Sequence, residues 1–346
     1  MKWPLKKGFS ILKNKGGKKL KKVIFLMVAL MFAVSLAACG GSDDMNTLII
    51  FQNKVEIDEV LSDYAEAWGE KNNVKVIVNT CGGDACAYGT MILSEFQNDK
   101  EPDIFVIEGL GGFLDYEDRI LDLSEEAWNM VTDFAFQVDG KVYGFPVAIE
   151  GWGMAYNKDI LDAAGVDPED LLVVSQADYA AVFQQIQDYY DANGLNDYAV
   201  VSMAAGPGMH WVTGLHNFNG YLSAGLEYGD NSVITSLRSG QVHADRLEQL
   251  AAWVELLFEW TPAAILETGG YDQQVNKFAN GEAAFLHQGN WTDSSYADSD
   301  FEIGYLPHAT MTEGNDSIFV AAPSFYVINK NSTMMAAAKQ FLNDLA

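Results

Sequence analysis

Short continuous apolar runs alternate along this chain with longer stretches whose apolar residues recur every three or four positions, the signature of strands interleaved with helices. Residues 47–51 (Thr-Leu-Ile-Ile-Phe) read as a strand covered on both faces. Val60, Leu61, Tyr64, Ala65 and Trp68 then give residues 55–71 one apolar helical face. Residues 74–78 form a second strand, 88–98 a helix faced by Met91, Ile92 and Phe96, and 102–107 a third strand. Such repetition predicts parallel strands joined by right-handed crossovers. In open sheets of this kind ligands collect outside the carboxyl ends of the strands. Those ends carry Asn53 with Glu56, then Asp84, then Glu108, and mark one wall of a candidate site.

A second series begins after residue 150. Residues 177–191 make a helix with Tyr179, Val182, Phe183 and Ile186 inward, stopped at Asn193-Gly194. A buried strand over 198–203 leads to a loop ending in His210 and Trp211. Leu247, Leu250, Ala251, Val254, Leu257 and Phe258 stripe a helix over 243–260. Strands follow over 283–287 and 301–307, an extended stretch over 318–329, and a helix over 332–345. Between the two series lies the stretch 139–164. Asp139-Gly140 suits a tight turn, and Pro146 cannot donate to a strand ladder. Residues 147–149 then run extended and deliver Glu150 and Trp152, flanked by Gly151 and Gly153, ahead of a helix over Ile160, Leu161 and Ala164.

Composition changes the picture mainly at the N-terminus. At 346 residues and 49% apolar content the chain can build two cores. Its first 22 residues hold nine lysines and no acid, followed by an apolar run over 23–36 and by Ala37-Ala38-Cys39. That is a secretory signal over 1–38, and its 14-residue apolar run is shorter than the ~20 residues a membrane-spanning helix needs. Leu36-Ala37-Ala38-Cys39 resembles a lipobox, which implies lipidation of Cys39, with residues 39–46 as a tether. Two acyl chains suffice for stable anchoring. Without the nine leader lysines, 12 of the 21 basic residues face 48 acidic ones, a formal charge of about −36. Such a surface repels nucleic acid. Cys81 and Cys86, either side of two glycines, read in an exported chain as a disulfide; the five histidines are scattered, so no metal site is expected. No G-x-G-x-x-G follows the first strand, and no cofactor is expected.

Two stretches carry a resemblance. Gly140-Lys141, Tyr143-Gly144, Pro146, Tyr156-Asn157-Lys158-Asp159 and Ala164-Gly165 form one; Phe278, Gly281, Ala283-Ala284-Phe285, Gly289 and Trp291 form the other, with Phe285 at a position usually held by methionine. Both resemble the bacterial extracellular solute-binding proteins, the sugar-binding family of ABC importers. The resemblance implies a two-lobed α/β fold of the periplasmic-binding-protein type, each lobe a mostly parallel sheet with flanking helices, and a ligand in the cleft between lobes. Lobe 1 would take residues 47–147 and lobe 2 residues 148–318, with 319–346 crossing back to lobe 1. The family usually continues for several more helices, so a chain ending at Ala346 reads either as a shortened member or as an incomplete one.

Sugars show C–H faces and hydroxyl edges, so their sites need flat rings and planar polar groups. Trp152, Trp211 and Trp291 are the candidate platforms, and Glu56, Glu108, Glu150, Gln288 and Asn290 the candidate hydrogen-bonding groups, joined by Asn53, Asp84 and His210 on the loops. Trp68, Trp128, Trp253 and Trp260 lie on helical patterns and are assigned to the core. Carboxylates with aromatic rings also make cages for polyamines, and Glu108 with Glu150 could flank a glycosidic bond as a hydrolase pair. The resemblance favours a non-catalytic sugar receptor, monomeric, held on the outer face of the cell membrane by its anchor, with the membrane subunits of an ABC permease as partner.

Overall fold

Strand β1 (Thr47–Gln52) occupies the first apolar run, and its alternation sorts side chains to two faces of a sheet. Leu48 and Ile50 pack with Ile104, Val106, Trp68, Trp128 and Phe341 on one face. Phe51 packs with Phe105, Ile107, Ile92, Phe96 and Val327 on the other. Both faces are covered, as a continuous apolar strand requires. The computed structural model describes residues 46–346 apart from 84–85, 99, 173–174, 228 and 313–314. The leader, Cys39, nearly all of the tether and Asp84 therefore lie outside the described residues.

The chain continues through β2 (Lys75–Thr80), β3 (Ile104–Glu108), β4 (Phe136–Val138) and β5 (Lys141–Pro146), then β6 (Glu150–Asn157), β7 (Ala199–Ser202), β8 (Ala283–Gly289), β9 (Ile303–Leu306), β10 (Phe319–Ala321) and β11 (Ser324–Ile328). One sheet has the order β2-β1-β3-β11-β5-β4; the other runs β10-β6-β8-β7, with β9 also paired to β6. Both are mixed. β1 lies parallel to β2 and β3, while β11 is antiparallel to β3 and β5. In the second sheet only β7 and β8 pair in parallel. A hairpin and two returning strands supply the antiparallel pairs, which strand–helix alternation alone does not announce.

The chain passes between sheets twice. It leaves β5 and enters β6 across residues 147–149, and it leaves β10 and enters β11 across 322–323. β10 belongs to the second sheet, with Phe319 opposite Trp152 and Ala321 opposite Glu150. A second core, built on Tyr179, Phe183, Trp253, Leu257 and Phe285, backs that sheet. Trp68, Trp128 and Trp253 are buried as the helical pattern predicts, and Trp260 packs partly buried on the same core.

Local chemistry explains the element ends. Asn157 closes β6 and opens the helix Lys158–Ala164, its side chain accepting from the Ile160 amide at 3.2 Å. Gly165 ends that helix in the left-handed region, φ 74°. The helix Gly109–Tyr116, directly after Glu108, was not expected from the pattern. Three glycines in its first four residues depress helix propensity, while Phe113 and Tyr116 pack this segment onto the core.

Candidate functional site

The site is assembled where the chain passes between the sheets. On the first-sheet side, Gln52 is wholly buried at the end of β1, and its amide brackets the main chain of Lys54. The Lys54 N–H donates to Gln52 Oε1 at 2.5 Å, while Gln52 Nε2 donates to the Lys54 carbonyl at 2.9 Å and to Thr80 Oγ1 at 2.6 Å. Cys81 donates its N–H to the Gln52 carbonyl at 2.9 Å, and the Cys81–Cys86 disulfide closes the adjoining loop. A side chain at Gly82 would collide with the Asn53 carbonyl, 2.2 Å from a Cβ placed there. The 52–54 stretch is thus held from both sides.

This bracing aims Lys54 at the crossing. Its Nζ forms an ion pair with Glu150 Oε1, the side chains being only 15% and 6% exposed. Glu56, half-buried in the Val55–Ile57 turn, lies in the field of both: burial raises its carboxyl, Lys54 lowers it and Glu150 raises it further. Asn53 Nδ2 donates to Glu108 Oε1 at 2.8 Å on the exposed rim. The wall is therefore polar and charged.

The second-sheet side is aromatic. Trp152 is buried, its ring 5.7 Å from both His216 and Phe319 at 30° in each case, and its Nε1 donates to the His216 carbonyl at 3.4 Å. His216 also meets Trp211 edge-on at 5.2 Å and Trp291 at 5.0 Å. Trp211 and His216 are the ends of a π-helical turn, Trp211–His216. Five residues of α-helix turn about 140° beyond a full revolution, so the wider π turn is what brings the two rings together. Enclosure among three tryptophans holds the His216 imidazole down to about 3, helped by His287 and Lys54. Behind it His287, lowered by burial to about 4, lies 4.6 Å from His308, stacked at 15°. Asn217 Nδ2 donates to the Thr213 carbonyl, which turns its Oδ1 toward His287 Nε2 at 3.2 Å and places the hydrogen on that nitrogen.

The turn Asn290–Tyr296 completes this wall. Trp291, half-buried, donates from Nε1 to Gln288 Oε1 at 2.9 Å, which orients the buried Gln288 amide. Asn290 Oδ1 accepts from the Gly151 amide at 3.0 Å. Only glycine fits at 289, because a Cβ would lie 2.3 Å from the Trp291 ring and 2.5 Å from the Gly151 carbonyl. The turn is pinned to β9 through Asp293 Oδ1, which accepts from Tyr296 at 2.9 Å and Tyr305 at 2.8 Å, with the two hydroxyls 2.7 Å apart. The Val55–Ile57 turn packs against Asn290–Tyr296, so the two walls meet.

Of the expected residues, Glu150, Trp152, Gln288, Asn290 and Trp291 come together around the crossing, with Glu56 opposite and Trp211 behind His216. Asn53 and Glu108 pair at the rim, and His210 is exposed one residue before Trp211. Trp152, expected as a platform, is covered in this conformation and backs Trp291 instead. The sequence places Lys54 in the wall at the first strand's carboxyl end without giving it a role, and it does not point to His216 or Phe319 as site residues. Lys54 carried a signal, being one of few basic residues after the leader and standing at a strand's carboxyl end. The π turn that recruits His216 has no periodicity to betray it.

The sequence profile of the bacterial extracellular solute-binding proteins matches residues 53–345. A maltooligosaccharide ABC transporter solute-binding lipoprotein of Streptococcus pneumoniae is 23% identical, over 95% of this chain and 77% of its own length. A maltodextrin-binding protein of Bacillus subtilis is likewise 23% identical, over 93% of this chain and 76% of its own. Among solved structures, a raffinose complex of a solute-binding protein superposes with a TM-score of 0.64 at 18% identity, covering 86% of this chain and 77% of that one.

Proposed function

Because the chain belongs to the bacterial extracellular solute-binding proteins, we propose that it is a receptor for an uncharged oligosaccharide, which it passes to the membrane subunits of an ABC importer. The observation that carries this reading is the pairing of the two walls. Trp291 offers a ring bordered by Asn290 and Gln288, opposite a charged wall whose ammonium and carboxylate neutralise each other. Rings suit the faces of a sugar, and amides with a fixed orientation suit its hydroxyl edge. The named ligands of the relatives, maltooligosaccharide and maltodextrin, and the raffinose bound by the structural neighbour support the class.

A polyamine is disfavoured, since Lys54 already supplies the cation that Glu150 attracts. A glycosidase is disfavoured as well. Glu150 is ion-paired with Lys54 and Glu108 accepts from Asn53, so both carboxylates are already engaged within the protein rather than paired across an open bond-cleavage site. In this reading residues 147–149 and 322–323 act as the hinge, Cys39 carries the lipid anchor on the outer face of the membrane, and the protein works as a monomer. Thermal unfolding with maltotriose, raffinose, stachyose and spermidine tests it. A ligand that binds only the folded state raises stability by mass action, and at least one neutral oligosaccharide should do so. A shift with spermidine alone would overturn the reading.

A further inference from the structure

We propose that Lys54 sets the charge selectivity of this site, by occupying from within the protein the position that a cationic ligand would otherwise take. The inference deepens the proposed function and rests on its placement of the ligand at the crossing. Without Lys54 the crossing would leave Glu150 and Glu56 uncompensated on the side where the half-buried Trp291 stands, in a chain that carries about −36 beyond its leader. Carboxylates beside tryptophan faces are the chemistry that captures alkylammonium groups, and an acidic surface draws cations toward the opening. Lys54 answers that attraction internally.

Its position is built rather than incidental. The buried Gln52 amide grips both the N–H and the carbonyl of Lys54, and the disulfide loop abuts Asn53 through Gly82. A mobile surface lysine would be paired in one conformer among many; this one is held by its main chain, and its Nζ ends on a carboxylate only 6% exposed. Removing one partner of such a buried pair leaves an uncompensated charge and is strongly unfavourable. A ligand ammonium can restore the balance, so a lysine-free site should acquire an affinity that the natural one lacks.

The test compares wild type, Lys54→Met, Lys54→Gln and the double variant Lys54→Met/Glu150→Gln, titrated with spermidine by calorimetry and thermal unfolding. Lys54→Met should bind spermidine at least tenfold tighter than wild type and gain several degrees of thermal stability from it. The double variant, which lacks both charges, should lose that gain. Should Lys54→Met not fold alone, refolding in spermidine, together with the Lys54→Gln titration, reads the same effect. Spermidine affinities within threefold of each other in wild type and both single variants, or no rescue of an unfolded variant, would overturn the proposal. Failure of wild type to bind any of the three oligosaccharides would sink the proposed function instead, and the spermidine comparison does not depend on that outcome.

Discussion

The two walls of the site are made by different means. The charged wall stands on loops at the carboxyl ends of parallel strands, and its geometry comes from main-chain hydrogen bonds to Gln52 and from the Cys81–Cys86 disulfide. The aromatic wall stands on an antiparallel strand, a π turn and the turn after β8, and its geometry comes from ring packing among Trp152, Trp211, His216 and Trp291. The contrast is one of tolerance. Hydrogen bonds fix where a charge sits, whereas packed rings are held by contact area alone. On the proposed reading the first wall would select by charge and the second would supply most of the binding energy.

Acidification should separate them most sharply. His287, His308 and His216 are all held neutral by burial, with His287 at about 4 and His216 at about 3 against an ordinary 6.5. Below pH 6.5 the unfolded chain takes up protons that the folded chain refuses. Stability is thus intact above 6.5 and falls as the pH drops toward 4, with His287 alone contributing roughly 3 kcal/mol at ~1.4 kcal/mol per pH unit. Hydrogen exchange between pH 7 and 4.5 should show the second sheet and the π turn opening first. Earlier opening of the first sheet would place the acid-sensitive element elsewhere.

Removing the half-buried Trp291 ring probes the binding energy directly. Trp291→Ala should weaken oligosaccharide binding by about 2–4 kcal/mol, the range of buried aromatic hot spots, or roughly 30- to 1000-fold at ~1.4 kcal/mol per decade. If the same variant loses thermal stability while calorimetry finds its affinity unchanged, Trp291 is core and the aromatic wall must be redrawn around Trp211.

A smaller effect is expected from the brace behind it. Tyr305→Phe removes one hydroxyl from the Asp293 cluster and leaves Tyr296 bonded to both Asp293 and Thr292. A net hydrogen bond of about 0.5–1.5 kcal/mol is at stake. Affinity should fall two- to tenfold, and the loss should vanish in a Trp291→Ala background, since the brace acts through that ring. Additive losses in the double-mutant cycle would show that Tyr305 acts elsewhere.

The sequence by itself determined most strands, though not β6, which begins just after the stretch 147–149 that the pattern reads as extended, together with most helices and the chemistry of several site positions. Apolar runs and helical stripes are local, and they report directly on which segments can be covered on one face or two. The turn carrying Trp291 was legible through the family resemblance, and its cause is local too: the missing Cβ of Gly289 makes room for the indole. The paired cysteines, five residues apart, likewise needed no distant partner. Tertiary structure alone decided what these pieces do to one another. Lys54 and Glu150 lie far apart in the chain and meet only in the folded molecule, where the stretch after β1 reaches the start of β6 although β3 and β11 stand between β1 and β5 in the sheet. Trp152 is covered because β10 stays with the second sheet and lays Phe319 against it. His216 enters the site through a π turn, and the helix after Glu108 exists against its own glycines. Periodicity tells which face of a segment is buried, but the identity of what buries it depends on strand order, and strand order is settled by the whole chain folding together.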